Sequence, residues 1–351
     1  MTIRVGMIGA GAIADDHCTA VSQYPGAELV AVADISRDRR EAVKQKYGMA
    51  RAYAKWEDLV ADSGVDAVMI ALPNALHAPV SVAALKAGKH VLIEKPFAMN
   101  YGEAKQVADT AKKMRKVFML GMNLRFWPEV QSLRTIAGRG DLGEIYHAKA
   151  YWYRRTGSPK MGTWFVNKKL AGGGCMLDIG VHFLDLALYI TDNWKPTCVS
   201  GQVYTKFGNR GIGEGCWGKS DRDPKLTFDV DDFATGLVKF QNGMTLELNV
   251  SWVLHQEQEN RNNIQLYGTE AGADLIPVKV FRSGKNAGEY EVVKPENVQV
   301  PHRYENRQAN WLDAILGKDK PICTVEQALV VQKILDGIYE SSASGKEVRI
   351  R

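Results

Sequence analysis

Cysteine is scarce in this chain, and the five present, Cys18, Cys175, Cys198, Cys216 and Cys323, are odd in number, scattered and free of CxxC or other ligand-like spacing. That excludes a disulfide framework and a cysteine-based zinc motif, and reduced cytosolic thiols are expected. Long apolar runs are also missing: none approaches the roughly 20 residues that cross a bilayer. The segment Met1 to Gly9 enters a strand-like run without the charged, apolar and cleavage-site zones of a secretory signal. A cytoplasmic protein with no membrane partner is expected. No block of one charge sign dominates, because 45 Lys and Arg are interspersed with 40 Asp and Glu to leave a net +5. Nucleic acid is therefore not an expected partner. Acid is absent from one stretch, which carries Lys149, Arg154, Arg155, Lys160, Lys168 and Lys169. It reads as a solvated face or as an attractor of anions.

What is present is ordinary globular composition, 45% apolar and 24% charged, in 351 residues, enough for two domains. From residue 3 to about 120, apolar runs (Ile3 to Ile8, Glu28 to Ala33, Ala67 to Leu72, His90 to Glu94, Val117 to Leu120) alternate with helical stretches (Arg37 to Tyr47, Pro79 to Ala87, Gly102 to Lys116). That rhythm predicts βαβ units and a doubly wound parallel sheet over residues 1–122. Beyond it, over residues 123–351, one helix (Pro128 to Ala137) precedes long runs at Ile145 to Arg154, Val199 to Phe207 and Phe228 to Trp252. Asn242-Gly243 between alternating stretches signals a hairpin, so a second α+β domain with a large, mainly antiparallel open sheet is expected. Gly208 to Pro224 reads as a loop, and Tyr304 to Leu316 and Val325 to Ser341 as helices able to pack back on the first domain. No internal repeat is found.

Gly9-Ala10-Gly11-Ala12-Ile13-Ala14 follows the first strand in a GxGxxA pattern. Gly9 suits a tight strand-to-helix turn, Gly11 lets a pyrophosphate approach the backbone, and Ala14 allows close helix packing, with Ala12 and Ile13 at the helix start. Asp34, 20 residues beyond Ala14, ends the second strand, where a carboxylate binds ribose hydroxyls and repels a 2′-phosphate. NAD is the expected cofactor. Ser36 and Arg37 stand close by, and an arginine there can neutralise a 2′-phosphate, which keeps NADP open.

Three further segments carry a family resemblance: Leu72-Pro73-Asn74-Ala75-Leu76-His77, Gly88-Lys89-His90-Val91-Leu92-Ile93-Glu94-Lys95-Pro96, and Gly172-Gly173-Gly174-Cys175-Met176-Leu177-Asp178-Ile179-Gly180-Val181-His182. With the glycine loop, in this order and spacing, they resemble the glucose-fructose oxidoreductase and inositol dehydrogenase family, Gfo/Idh/MocA, over essentially the whole chain. An alcohol that gives up a hydride must also lose its O–H proton to a positioned base, and His182 is the natural one. Asp178, four residues earlier on one helical face, can orient it. The resemblance implies that Lys95 completes a catalytic trio by stabilising the developing alkoxide. It also implies that Leu72, Pro73, Asn74 and His77 lie against the cofactor, that Gly172 to Gly174 approach cofactor and substrate closely, and that Pro96 fixes the turn after Lys95, while Glu94 either holds the cofactor region or only satisfies nearby backbone. His77 can equally cap the following helix. Apart from Asp178 and His182, no pair has metal-ligand spacing, and no metal is expected.

Asn123-Leu124-Arg125-Phe126-Trp127-Pro128 resembles the segment by which this family enters its second domain, placing Asn123 or Arg125 near the cleft. Tyr151 to Arg155 and Gly162 to Phe165 combine rings and cations that suit a sugar, with Arg155 and Trp164 foremost. The resemblance implies an oxidoreductase acting on a ring secondary alcohol or ketone of a sugar, glycoside, anhydrosugar or cyclitol. An NAD-assisted glycosidase without net redox and a non-catalytic NAD- or sugar-binding regulator stay open. A homodimer or homotetramer formed through the open sheet is expected, because such a sheet needs covering.

Overall fold

Apolar runs too short to stand alone are stacked into one sheet by the amphipathic helices between them. Strand β1 (Ile3–Ile8) leads through α1 (Ala14–Ser22), β2 (Ala27–Ala33), α2 (Arg37–Lys46), β3 (Arg51–Tyr53), α3 (Trp56–Ala61), β4 (Ala67–Ile70), α4 (His77–Lys86), β5 (His90–Ile93) and α5 (Tyr101–Met114) to β6 (Phe118–Leu120). The structure, a computed structural model, describes residues 2–350 other than 216–220, 285, 287, 296–297, 299 and 301–305. The six strands pair in parallel in the order β3-β2-β1-β4-β5-β6, the doubly wound arrangement predicted. Met7, Ile8, Val68, Met69, Leu92 and Ile93 are fully buried, which is why these strands read as continuous apolar runs. Ser36 and Asn100 start α2 and α5 by accepting the backbone N–H of Arg39 and Glu103. Strand order reverses between β1 and β4, which opens a crevice at their carboxyl ends.

The rest of the chain forms α6 (Pro128–Gly138), β7 (Ile145–Arg154), α7 (Lys168–Ala171), α8 (Val181–Thr191), β8 (Pro196–Tyr204), β9 (Phe233–Phe240), β10 (Thr245–Ser251), β11 (Asn260–Gly268), β12 (Gly272–Asp274), β13 (Lys279–Ser283), β14 (Tyr290–Val293), α9 (Arg307–Ile315), α10 (Val325–Ser344) and β15 (Val348–Arg349). Its nine-stranded sheet runs β14-β13-β12-β11-β7-β10-β9-β8-β15, antiparallel except where β10 pairs with β7. The Asn242-Gly243 hairpin joins β9 to β10, with Gly243 at φ +87°. Of the run Phe228 to Trp252, the first strand begins only at Phe233, and the run predicted from Val199 forms earlier, from Pro196. Tyr304 and Glu305 of the predicted helix, Cys216, and residues 216–220 of the predicted loop lie outside the described residues.

The helical run Lys168–Thr191 has the length and apolarity of a membrane span, contrary to the reading that no run approaches one. It is a core element: 89% of its most apolar window is buried inside the protein. The two last helices reach the first sheet. Gln308 of α9 donates to His17 of α1 at 2.9 Å, and Asp336 of α10 accepts the Tyr101 N–H of α5 at 2.6 Å.

Candidate active site

The crevice between β1 and β4 begins with a backbone requirement. Gly9 sits at φ +97°, and a Cβ there would lie 2.2 Å from the Ala71 carbonyl oxygen, so glycine is obligatory. Gly11 has nothing within 4 Å of its Cβ position, leaving the start of α1 open. Ala12 and Ile13 are exposed beside it, Leu72 and Pro73 are half-buried at the end of β4, and Leu72 borders Gly9. Asp34 Oδ2 accepts the Ala10 N–H and Oδ1 the Ser36 N–H, both at 2.7 Å, so the acid is fixed between the two loops. An open helix N-terminus, a close-approach glycine and a carboxylate at the second strand's end fit a dinucleotide. The arginine that meets Asp34 is Arg39 at 3.3 Å, which also reaches Asp221 at 2.9 Å. Arg37, predicted for this place, is exposed at the first position of α2; Arg39, two residues on, turns back over the cap.

The second cluster lies beyond β5. Lys95 Nζ donates to Asp178 Oδ1 at 2.7 Å and to the Asp178 carbonyl at 3.0 Å, and Trp252 Nε1 donates to Asp178 Oδ2 at 2.9 Å. Burial works to raise the Asp178 pKa, but Lys95 and Arg154 outweigh it and hold the carboxyl below its ordinary value. His182 follows on α8. Burial, and then the Lys95 cation, push its pKa down to about 3, so the imidazole is neutral at pH 7. The predicted bond from Asp178 to His182 is not made: both carboxylate oxygens are spent on Lys95 and Trp252, and His182 Nδ1 is buried without a partner. Residues Met176–Gly180 form a π turn that runs directly into α8, which carries His182. Asn74, Phe165, Gly173 and Leu177 line this pocket with Lys95, Asp178 and Trp252.

Several predicted residues serve the frame instead. His77 is buried with Nδ1 2.7 Å from the Pro96 carbonyl and Nε2 2.9 Å from the Leu72 carbonyl, so it brackets two loops rather than offering an atom to a cofactor. Asn74 donates to the Ala171 carbonyl at 2.7 Å and ties the β4 loop to α7. Glu94 turns away from the pocket to His17 at 2.9 Å and Arg307 at 2.8 Å, and against the effect of burial the Arg307 cation, the His17 bond and Lys95 hold its pKa below the ordinary range. Arg125 is buried against Asp185, with further bonds to the Ile322 carbonyl and Gln327, and Asn123 is exposed. Arg155 spends its guanidinium on the Glu257 carbonyl and Glu259. Trp164 stacks on Phe165 with ring centroids 3.7 Å apart, and Phe165 is the ring that lines the pocket.

Asp231 and Trp252 escaped the sequence reading. Asp231 accepts the Gly174 N–H and the Tyr339 hydroxyl at 2.7 Å and the Met176 N–H at 2.9 Å, fixing the start of the turn that carries Asp178. A Cβ on Gly173 would meet the Tyr339 hydroxyl at 2.1 Å and one on Gly174 the Asp231 carbonyl at 1.9 Å. These glycines make room for Tyr339 and Asp231, and both glycines also line the pocket. Among the described residues, no three His, Cys, Asp or Glu side chains converge as a metal site, and Cys18, Cys175, Cys198 and Cys323 are free.

Comparison with known proteins agrees with this geometry. Residues 3–122 match the NAD-binding Rossmann fold of the Gfo/Idh/MocA oxidoreductase family, and residues 130–274 match that family's C-terminal domain. The D-glucoside 3-dehydrogenase of Escherichia coli (strain K12) is 32% identical over 349 residues, 99% of this chain and 97% of the relative. The chain belongs to the Gfo/Idh/MocA family. It is an NAD-binding oxidoreductase with the α/β architecture of that family. An NAD-binding protein from Listeria innocua superposes with a TM-score of 0.81 at 26% identity, covering 99% of this chain and 97% of the other. A levoglucosan dehydrogenase in complex with NADH and levoglucosan shares the fold, with a TM-score of 0.84 at 22% identity over the full length of both chains.

Proposed function

We propose that this Gfo/Idh/MocA member moves a hydride between NAD and a ring secondary hydroxyl of a glycoside or a related sugar, anhydrosugar or cyclitol. The observation that carries the reading is the Lys95–Asp178 ion pair, 2.7 Å long, with a neutral His182 close by on the same helical segment. The family relatives named above, which act on a D-glucoside and bind levoglucosan, support the substrate class. Gly9, Gly11, Ala12, Ile13, Leu72 and Pro73 hold the cofactor's phosphates and nicotinamide side, and Asp34 holds its ribose. The bound cofactor supplies the hydride acceptor. His182, neutral at pH 7, takes the hydroxyl proton as the hydride leaves. Lys95, held in place by Asp178, stabilises the oxygen as charge develops on it. Asp178 acts through Lys95, and Trp252 fixes its second oxygen.

Two domains meet at this cleft, divided near residues 122 and 123. The face of the nine-stranded sheet that carries Leu237 and Tyr267, each more than a third exposed, pairs with a second copy of the chain. The test mixes the protein with NAD or NADP and a panel of methyl glucosides, anhydrosugars and cyclitols while reduced cofactor is followed. Stoichiometric NADH is expected, and Lys95→Ala and His182→Ala each lower turnover by about 10²- to 10⁴-fold. Release of aglycone with no net NADH sinks the reading in favour of a glycosidase. Cofactor binding with no reaction in either direction sinks it in favour of a regulator.

A further inference from the structure

Arg154 is a largely buried cation in the second half that the reaction sequence leaves unused. It ends β7 on the face that also carries the buried Ala148 and Ala150 and then Trp152, whose ring packs against Phe183 of α8. Strands β7 and β10 run parallel, with Val250 opposite Trp152 and Ser251 opposite Tyr153. Arg154 and Trp252 therefore stand side by side one step further, at the carboxyl ends of both strands. Trp252 bonds Asp178 there. Arg154 lies over the Trp152 ring at 4.6 Å, and its charge and that of Asp178 act on each other.

Its hydrogen bonding is nearly empty. Among the described residues the one bond given to its guanidinium goes to the Gly157 carbonyl at 3.5 Å, the outer limit for such a bond. An arginine carries five donors in a rigid fork. The deeply buried arginines are ion-paired: Arg125 with Asp185 and Arg307 with Glu94. Asp178 makes no such bond to Arg154; its two oxygens accept from Lys95 and Trp252. No Arg154 nitrogen is among the sealed, unpartnered atoms, so the free donors face open space. When a ring fills the space beside Trp252 and displaces water there, the guanidinium needs new acceptors, and oxygens on that ring can supply them.

We propose that Arg154 determines substrate specificity by donating its free N–H pair to oxygens on the carbon next to the one oxidised, so that the enzyme demands a ring with vicinal hydroxyls at the reacting position. This rests on the sugar oxidoreductase reading above. Arg155, one residue on and off this face, takes no part.

The experiment is a cycle between substrate and enzyme. Methyl β-D-glucopyranoside and its 2-deoxy and 4-deoxy analogues are compared in the unmodified enzyme, Arg154→Gln, Arg154→Lys and Arg155→Gln, with saturating NAD. In the unmodified enzyme one deoxy analogue is expected to lose on the order of 10- to 100-fold in kcat/KM, the worth of a hydrogen bond from a charged donor. Arg154→Gln lowers kcat/KM for the parent sugar by a similar factor, chiefly through KM, and shrinks the deoxy penalty to roughly two- to threefold. Arg154→Lys restores part of the parent activity. Arg155→Gln changes neither value by more than about twofold. Titration with NAD, unchanged in all variants, shows that they fold. A deoxy penalty that persists undiminished in Arg154→Gln overturns the proposal. Should no sugar reduce NAD, the oxidoreductase reading fails by itself, and calorimetric sugar binding to the NADH-loaded variants then decides Arg154 by the same ratios.

Discussion

The cofactor cradle and the catalytic cleft are assembled in opposite ways. The cradle is local: Gly9, Gly11 and Ala14 lie along one strand-to-helix turn, and Asp34 joins them through one bond to the Ala10 N–H. The cleft is distant in sequence: Lys95 follows β5, Asp178 sits in a π turn, Trp252 follows β10, and Tyr339 comes from the last helix. Backbone geometry therefore governs the first site, and side-chain partnership governs the second. Damage to each should look different.

The largest effect belongs to the cradle. Gly9→Ala forces a Cβ against the Ala71 carbonyl at a φ that other residues rarely adopt. Strain of roughly 1–3 kcal/mol adds to the overlap, and NAD binding should weaken by at least about 100-fold in a fluorescence titration. An unchanged NAD affinity would break the comparison. The cleft yields the reverse pattern. Trp252→Phe removes one donor from Asp178 while keeping an aromatic ring, so NAD affinity stays and kcat falls by roughly tenfold, the worth of a bond to a charged acceptor. Because Trp252 helps to hold the Asp178 carboxyl below its ordinary value, the acid limb of the kcat profile also moves to higher pH. A fall in thermal stability with kcat and the profile unmoved would show that Trp252 only packs.

The same contrast explains what the sequence disclosed. Periodicity and the GxGxxA turn are short-range signals, so the doubly wound sheet, its strand positions and Asp34 were legible. Asp178 and Lys95 were legible only through family resemblance, and their direct partnership crosses 83 residues. Trp252 and Asp231 both fell inside the run Phe228 to Trp252 and escaped notice there, since no local spacing says that an indole N–H or a buried carboxylate will meet a turn more than 50 residues away. Arg155 was chosen over Arg154 because composition gives no phase. Strand alternation does, and one residue of β7 separates the cleft from Glu259. Glu94 was read toward the cofactor because its partner Arg307 lies on α9, more than 200 residues on.

The smallest effect tests the frame under the cradle's sheet. His90, at the start of β5, accepts the Val117 N–H at Nδ1, 3.0 Å away, a bond that requires this nitrogen to be unprotonated. Burial, with help from Lys116, lowers its pKa from 6.5 to about 4. Because the folded value lies below the unfolded one, the unfolded chain binds the proton more readily at intermediate pH. The contribution of His90 is therefore complete above pH 6.5 and is lost as pH falls toward 4. His90→Asn offers an acceptor that does not titrate. Its urea midpoint should lie below that of the unmodified protein at pH 7.5, and the difference should narrow steadily down to pH 4.5. A gap that stays constant over that range would mean that His90 contributes by shape alone, with β5 and β6 held together without regard to its proton.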